Sequence, residues 1–180
     1  MRREDLEHVL RAAAEITGER DIIVLGSQAI LGSIEDERLP TEATRSIEVD
    51  VALPNDPDGS LADQVDGAIG ELSKFHQTFG YYPHGVGINT ASLPSGWRDR
   101  LVALESPRTT PARGLCLEPH DLVASKLVAW RAKDREYARA LLEAGLISKA
   151  TLLDRMRLLE GVPDGKKRLI RDWLLGVGGV

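Results

Sequence analysis

The spacing of apolar residues changes several times along the chain, and each change marks an element. In residues 4–17, Leu6, Val9, Leu10, Ala13 and Ile16 recur three or four positions apart. That period predicts a helix, which Gly18 is placed to stop. Residues 21–25 are a short β-branched run and predict a buried strand; Gly26-Ser27 breaks it, and residues 28–32 predict a short helix. Residues 33–45 are polar, carry Pro40 and the acids Glu35, Asp36 and Glu37, and predict a mobile loop. Residues 46–53 alternate strictly: Ile47, Val49, Val51 and Leu53 share one face, and Ser46, Glu48, Asp50 and Ala52 the other. This is the pattern of a half-buried strand. A turn cluster at 54–59 follows, and Ser60 is placed to cap a helix running to about residue 74. Residues 84–92, 100–105 and 114–117 predict strands. After Pro119 the period is helical. Residues 120–132 and 134–144 read as a nearly continuous pair, Ser148 caps residues 149–159, a last helix covers 164–175, and 176–180 form a frayed tail. The expected fold class is α+β: a small mixed sheet flanked by helices over residues 1–118, joined without a linker to a C-terminal helical bundle over 119–180.

Composition narrows the class. At 180 residues the chain can bury a core without staples. The single cysteine, Cys116, excludes an internal disulfide framework and a multi-thiolate zinc site, and its apolar neighbours mark an inert core thiol. The histidines (His8, His76, His84 and His120) show no HxH or HxxxH spacing, so a metal site built from histidines is not expected. The first residues do not read as a signal peptide and no apolar run spans a membrane, so a cytoplasmic protein is expected. Charge is unevenly spread. Residues 1–120 carry 11 Lys+Arg and 20 Asp+Glu; residues 121–180 carry 12 and 8. An acidic front and a basic back suit a polyanionic substrate held by the helical region; a solvated surface of mixed charge fits the same numbers.

Candidate chemistry centres on Glu48-Val49-Asp50. Two positions apart on a strand, both carboxylates lie on one face, about 6–7 Å apart at Cα, and can share a divalent cation such as Mg²⁺. Gly26-Ser27 lets the backbone approach a ligand closely, and the entry to the following helix suits phosphate. Ser46 shares the acidic face, and Arg45 precedes it. Lys126 lies one step off the apolar face formed by Leu122, Val123, Leu127 and Trp130, where it can reach a phosphate or snorkel to water. Asp134 is placed to pin Lys126 or Arg131, or to cap the next helix. Trp97, Trp130 and Trp173 fit helix packing better than base stacking, and Tyr81-Tyr82 fits turn packing. Gly85-Val86-Gly87 lacks the context of a dinucleotide fingerprint.

Gly26-Ser27 followed by Ser46-Ile47-Glu48-Val49-Asp50 resembles the nucleotidyltransferase pattern of the DNA polymerase beta superfamily. The stretch Leu117–Arg135, with Lys126, Arg131 and Lys133-Asp134, resembles its AbiEii-like branch, which includes MenT-type toxins. The resemblance implies Glu48, Asp50, Lys126 and Asp134 as catalytic residues, with Glu48 and Asp50 holding Mg²⁺. It implies Gly26, Ser27, Ser46, Lys126 and Arg131 as the NTP-binding set. It implies transfer of an NMP from NTP to an acceptor hydroxyl, most plausibly at the 3′ end of tRNA, by the toxin of a toxin–antitoxin pair with a cognate antitoxin as partner. Two features depart from the pattern: Glu48 stands where aspartate is usual, and no third carboxylate is evident, Glu105 being the nearest and a poor candidate. A protein or small-molecule acceptor is the alternative, as is an inactive fold used as a binding module.

Overall fold

The computed structural model describes residues 1–177; the end of the expected tail, residues 178–180, lies outside them. Helix α1 (Arg3–Thr17) ends at Gly18, whose left-handed backbone (φ 73°) lets its N–H bond the Ala14 carbonyl. Strand β1 (Asp21–Val24) follows. The segment after Gly26 is a six-residue 3₁₀ helix, Ser27–Gly32. The expected loop 33–45 is partly ordered, with a 3₁₀ turn at Asp36–Arg38 and the one-turn helix α2 (Thr41–Thr44). Strand β2 (Glu48–Ala52) is shorter than the alternation implies, because Ile47 lies outside it and is exposed.

The helix expected over 60–74 is two helices, α3 (Ser60–Ile69) and α4 (Lys74–Phe79). Ser60 does not cap α3: the Asp56 carboxylate accepts the N–H groups of Leu61 and Ala62 instead. Strand β3 is Tyr82–Gly85, not 84–92; residues Ile88–Thr90 form a 3₁₀ turn. Strands β4 (Val102–Leu104) and β5 (Arg113–Cys116) lie within a residue or two of expectation. The five strands form one mixed sheet, ordered β3-β2-β1-β5-β4. Pairs β2–β3 and β1–β5 are parallel; β1–β2 and β4–β5 are antiparallel. The expected α+β class holds.

Four helices follow among the described residues: α5 (Pro119–Ala129), α6 (Ala132–Glu143), α7 (Lys149–Arg157), capped by Ser148 as expected, and α8 (Asp164–Gly176). Helices α5 and α6 are the expected pair, with the junction at Trp130-Arg131 rather than at residue 133. Trp130 terminates α5 in the left-handed region (φ 61°, ψ 20°), a conformation that costs a non-glycine residue about 1–2 kcal/mol. Arg135 offsets that cost by donating to the Trp130 carbonyl (2.6 Å) and lying over its ring, which also meets Trp173 edge-on. One apolar cluster runs from Leu6 in α1 through the sheet to Leu174 in α8. Asp121, with no exposed surface, ties α5 to its surroundings by accepting Arg100 (2.7 and 3.1 Å) and pairing with Arg155 of α7 (2.9 Å). Cys116 is buried and its thiol is pushed up to about 12 by that burial, so it is inert. Among the described residues, no helix is long and apolar enough to cross a membrane.

Candidate active site

Strand β2 presents Glu48 and Asp50 toward α5 across a cleft of about 530 Å³, whose walls include Gly26, Ser27, Ser46, Lys126, Arg131 and Lys133. Of the residues singled out in the sequence for the site, Asp134 and Arg45 do not line this cleft, and Asp134 pairs with Lys126. A smaller annex of about 240 Å³ shares Ser27, Ser46, Lys126 and Lys133 and adds Arg45 and Tyr137.

The acidic wall is built tightly. A Cβ at Gly26 would stand 1.8 Å from Asp50 Oδ2, so the carboxylate occupies space that any side chain at position 26 would take. Tyr82 donates its hydroxyl to Glu48 Oε2 (3.1 Å), and this hydrogen bond, added to burial, drives the phenol up to about 12. The turn-packing role expected for the tyrosine pair therefore holds for Tyr81, which joins His8, Phe75 and Phe79, but not for Tyr82. Burial, and then the charge of Glu48, raise Asp50 above the ordinary carboxylate value, with His84 and Lys126 opposing.

His84 is the site residue that sequence reasoning missed. Strand register pairs it with Asp50 and pairs Tyr82 with Glu48. Its Nδ1 lies 3.5 Å from Asp50 Oδ1 and 4.0 Å from Glu48 Oε1. Glu48, Asp50 and His84 each offer one ligand atom, all within 4.8 Å of one another, a donor set into which a divalent cation fits. Spacing rules could not find it, since 34 residues separate it from Asp50; the alternation of Tyr82 and His84 on one strand face was the available signal. Glu105 lies elsewhere, beside Arg20 and Arg113.

The basic wall is held by one buried acid. Asp134 accepts Arg131 through Nε (2.6 Å), Nη2 (3.3 Å) and the backbone N–H (3.3 Å), and Lys126 Nζ through Oδ1 (3.3 Å). It both pins the two cations and supports the first turn of α6. Burial would raise its carboxyl, yet the Arg131 hydrogen bonds and the Lys126 charge hold it below the ordinary value. Lys126 sits over the Tyr137 ring (4.8 Å), and burial lowers its ammonium against the pull of Asp134 and Asp50. Tyr137 in turn donates to the Ser27 carbonyl (2.8 Å), tying α6 to the Gly26-Ser27 turn. Ser46 is less free than expected: its hydroxyl is engaged with the Glu48 backbone (3.2 Å).

Paired carboxylates facing a buried lysine and an arginine suit a metal-bound polyphosphate, the substrate class of nucleotidyl transfer. The family described as "Nucleotidyltransferase of unknown function (DUF6036)" matches residues 4–159, most of the chain, and the chain belongs to it. Its general activity is accordingly nucleotidyl transfer. No curated protein and no solved structure matches the chain.

Proposed function

We propose that this chain moves an NMP from an NTP to an acceptor hydroxyl of RNA, most plausibly at a tRNA 3′ end, and that it acts as the toxin of a toxin–antitoxin pair. The observation that carries the catalytic part is the meeting of Glu48, Asp50 and His84 with the Asp134-held pair Lys126 and Arg131 across one cleft. Glu48 and Asp50 would hold the divalent cation, Mg²⁺ in the first instance, which neutralises triphosphate charge and acidifies the attacking hydroxyl when bound. The acceptor oxygen attacks the α-phosphorus. A new P–O bond forms as the bond to the bridging oxygen breaks, pyrophosphate leaves with that electron pair, and the hydroxyl proton passes to solvent. Gly26 and Ser27 line the cleft where the phosphates would lie, and Lys126 and Arg131 would meet the charge growing on pyrophosphate. The protein supplies position and field and forms no covalent intermediate. Support for an RNA acceptor comes from Arg45, Arg131 and Lys133, which border the cleft and its annex beside the acids Glu42 and Glu136. The toxin role and the AbiEii-like placement rest on the resemblance of residues 26–27, 46–50 and 117–135.

The test is transfer of label from each α-³²P-NTP to total RNA with Mg²⁺, beside Asp50→Ala. A labelled tRNA-sized band that vanishes in the variant supports the proposal. Label on protein, or none with any NTP, refutes the RNA acceptor. Growth arrest on expression that Asp50→Ala abolishes supports the toxin role; unimpeded growth with an active enzyme refutes it.

A further inference from the structure

We propose that His84 is the third protein ligand of the divalent ion and that it makes the site prefer Mn²⁺ to Mg²⁺. The inference rests on the metal-dependent reading above and adds the identity of the third donor and the ranking of ions.

One oxygen of each carboxylate has a close neighbour other than the imidazole. Tyr82 donates to Glu48 Oε2, and Gly26 packs against Asp50 Oδ2. The oxygens left are Glu48 Oε1 and Asp50 Oδ1, and these are the two that face His84 Nδ1, at 4.0 and 3.5 Å. Donors bound to one ion through bonds of about 2.0–2.2 Å stand roughly 3–4 Å apart, according to the angle between them. The three atoms therefore reach a shared ion by small side-chain adjustments. The backbone fixes the arrangement, since β2 and β3 are hydrogen-bonded neighbours with His84 opposite Asp50.

The chemistry of the third donor sets the ion. Mg²⁺ takes hard oxygen ligands and sheds water reluctantly, so two carboxylates and substrate phosphates suit it, and a neutral nitrogen adds little. Mn²⁺ takes oxygen ligands as Mg²⁺ does but, as a transition ion, gains more than Mg²⁺ from an imidazole nitrogen, and ions later in the affinity series gain more still. An imidazole in place of a third carboxylate also leaves the site one negative charge poorer, which costs the ion that depends most on charge.

Mn²⁺ binding to the whole chain without nucleotide can be read from the loss of the free-ion electron paramagnetic resonance signal, with Mg²⁺ measured by competition. The wild type is expected to bind Mn²⁺ more tightly than Mg²⁺, and pulsed spectra of the bound ion should show ¹⁴N coupling from imidazole. His84→Ala should remove the coupling and lower Mn²⁺ affinity about 10–100-fold, leaving Mg²⁺ nearly unchanged. His84→Asp, which restores an oxygen donor, should narrow the ratio between the ions. Mn²⁺ binding that is lost in Asp50→Ala but keeps its affinity in His84→Ala, with no ¹⁴N coupling in the wild type, overturns the His84 assignment alone. Wild-type protein that binds neither ion, or binds them equally well as Asp50→Ala, overturns the metal-dependent reading with it.

Discussion

Replacing Gly26 by alanine asks whether the fold has shaped its backbone around the Asp50 carboxylate. The backbone itself (φ −81°, ψ −166°) accepts alanine, so no conformational strain arises. Gly→Ala at such a position would stabilise by about 0.4–1 kcal/mol through the unfolded chain. The new methyl, however, would stand 1.8 Å from Asp50 Oδ2, 2.7 Å from its Cγ and 3.0 Å from its Cβ. Relieving that overlap requires the carboxylate to move by well over an ångström, and overpacking of this kind costs about 1–3 kcal/mol. Clash exceeds entropy gain, and the melting temperature should fall by about 2–4 °C per kcal/mol lost. Displacing a ligand by about 1 Å should also lower transfer about 100-fold. The decisive form is a double-mutant cycle by thermal or urea unfolding. Asp50→Ala deletes Oδ2 and Cγ and leaves only the 3.0 Å contact with Cβ, so in that background Gly26→Ala should cost much less, a coupling of about 1 kcal/mol or more. Additive effects, or a single variant that melts higher and transfers normally, would refute the reasoning.

Three further outcomes follow from the same contacts. Lys126→Ala should raise KM for NTP or lower kcat while leaving the fold intact, and unchanged kinetics would return this lysine to a solvation role. Asp121→Ala strands two arginines and should destabilise by about 3–5 kcal/mol in urea unfolding, with transfer per folded molecule retained. The folded Asp134 carboxyl is held below its unfolded value, so its contribution is complete at neutral pH and is lost as pH falls through the folded value. The stability gap between wild type and Asp134→Asn should therefore shrink below about pH 4; a gap constant with pH would disprove the assignment.

Much of this protein was legible from local pattern alone. Strict alternation over 46–53 put Glu48 and Asp50 on one face, because side-chain direction in a strand depends only on parity. Gly18 and Ser148 ended and began helices through their own backbone and hydroxyl chemistry. Gly26-Ser27, Lys126, Arg131 and Asp134 were joined into one candidate set only through the resemblance of their motifs to the nucleotidyltransferase pattern. Other features depended on partners far away in sequence. His84 and Tyr82 entered the site because β3 pairs in parallel with β2, a register that no local spacing encodes. A break between two helices was legible but was placed at residue 133 rather than at Trp130, since a bulky residue in the left-handed region is held there by Arg135 and neighbouring rings rather than by its own preference. That break matters for the chemistry. In one continuous helix, residues 126 and 134 would lie about 12 Å apart along the axis; the turn brings Lys126 Nζ to 3.3 Å from Asp134. Local sequence determined which groups each element carries, and tertiary packing decided which of them meet, because strand register and helix junctions are set by the burial of the whole core.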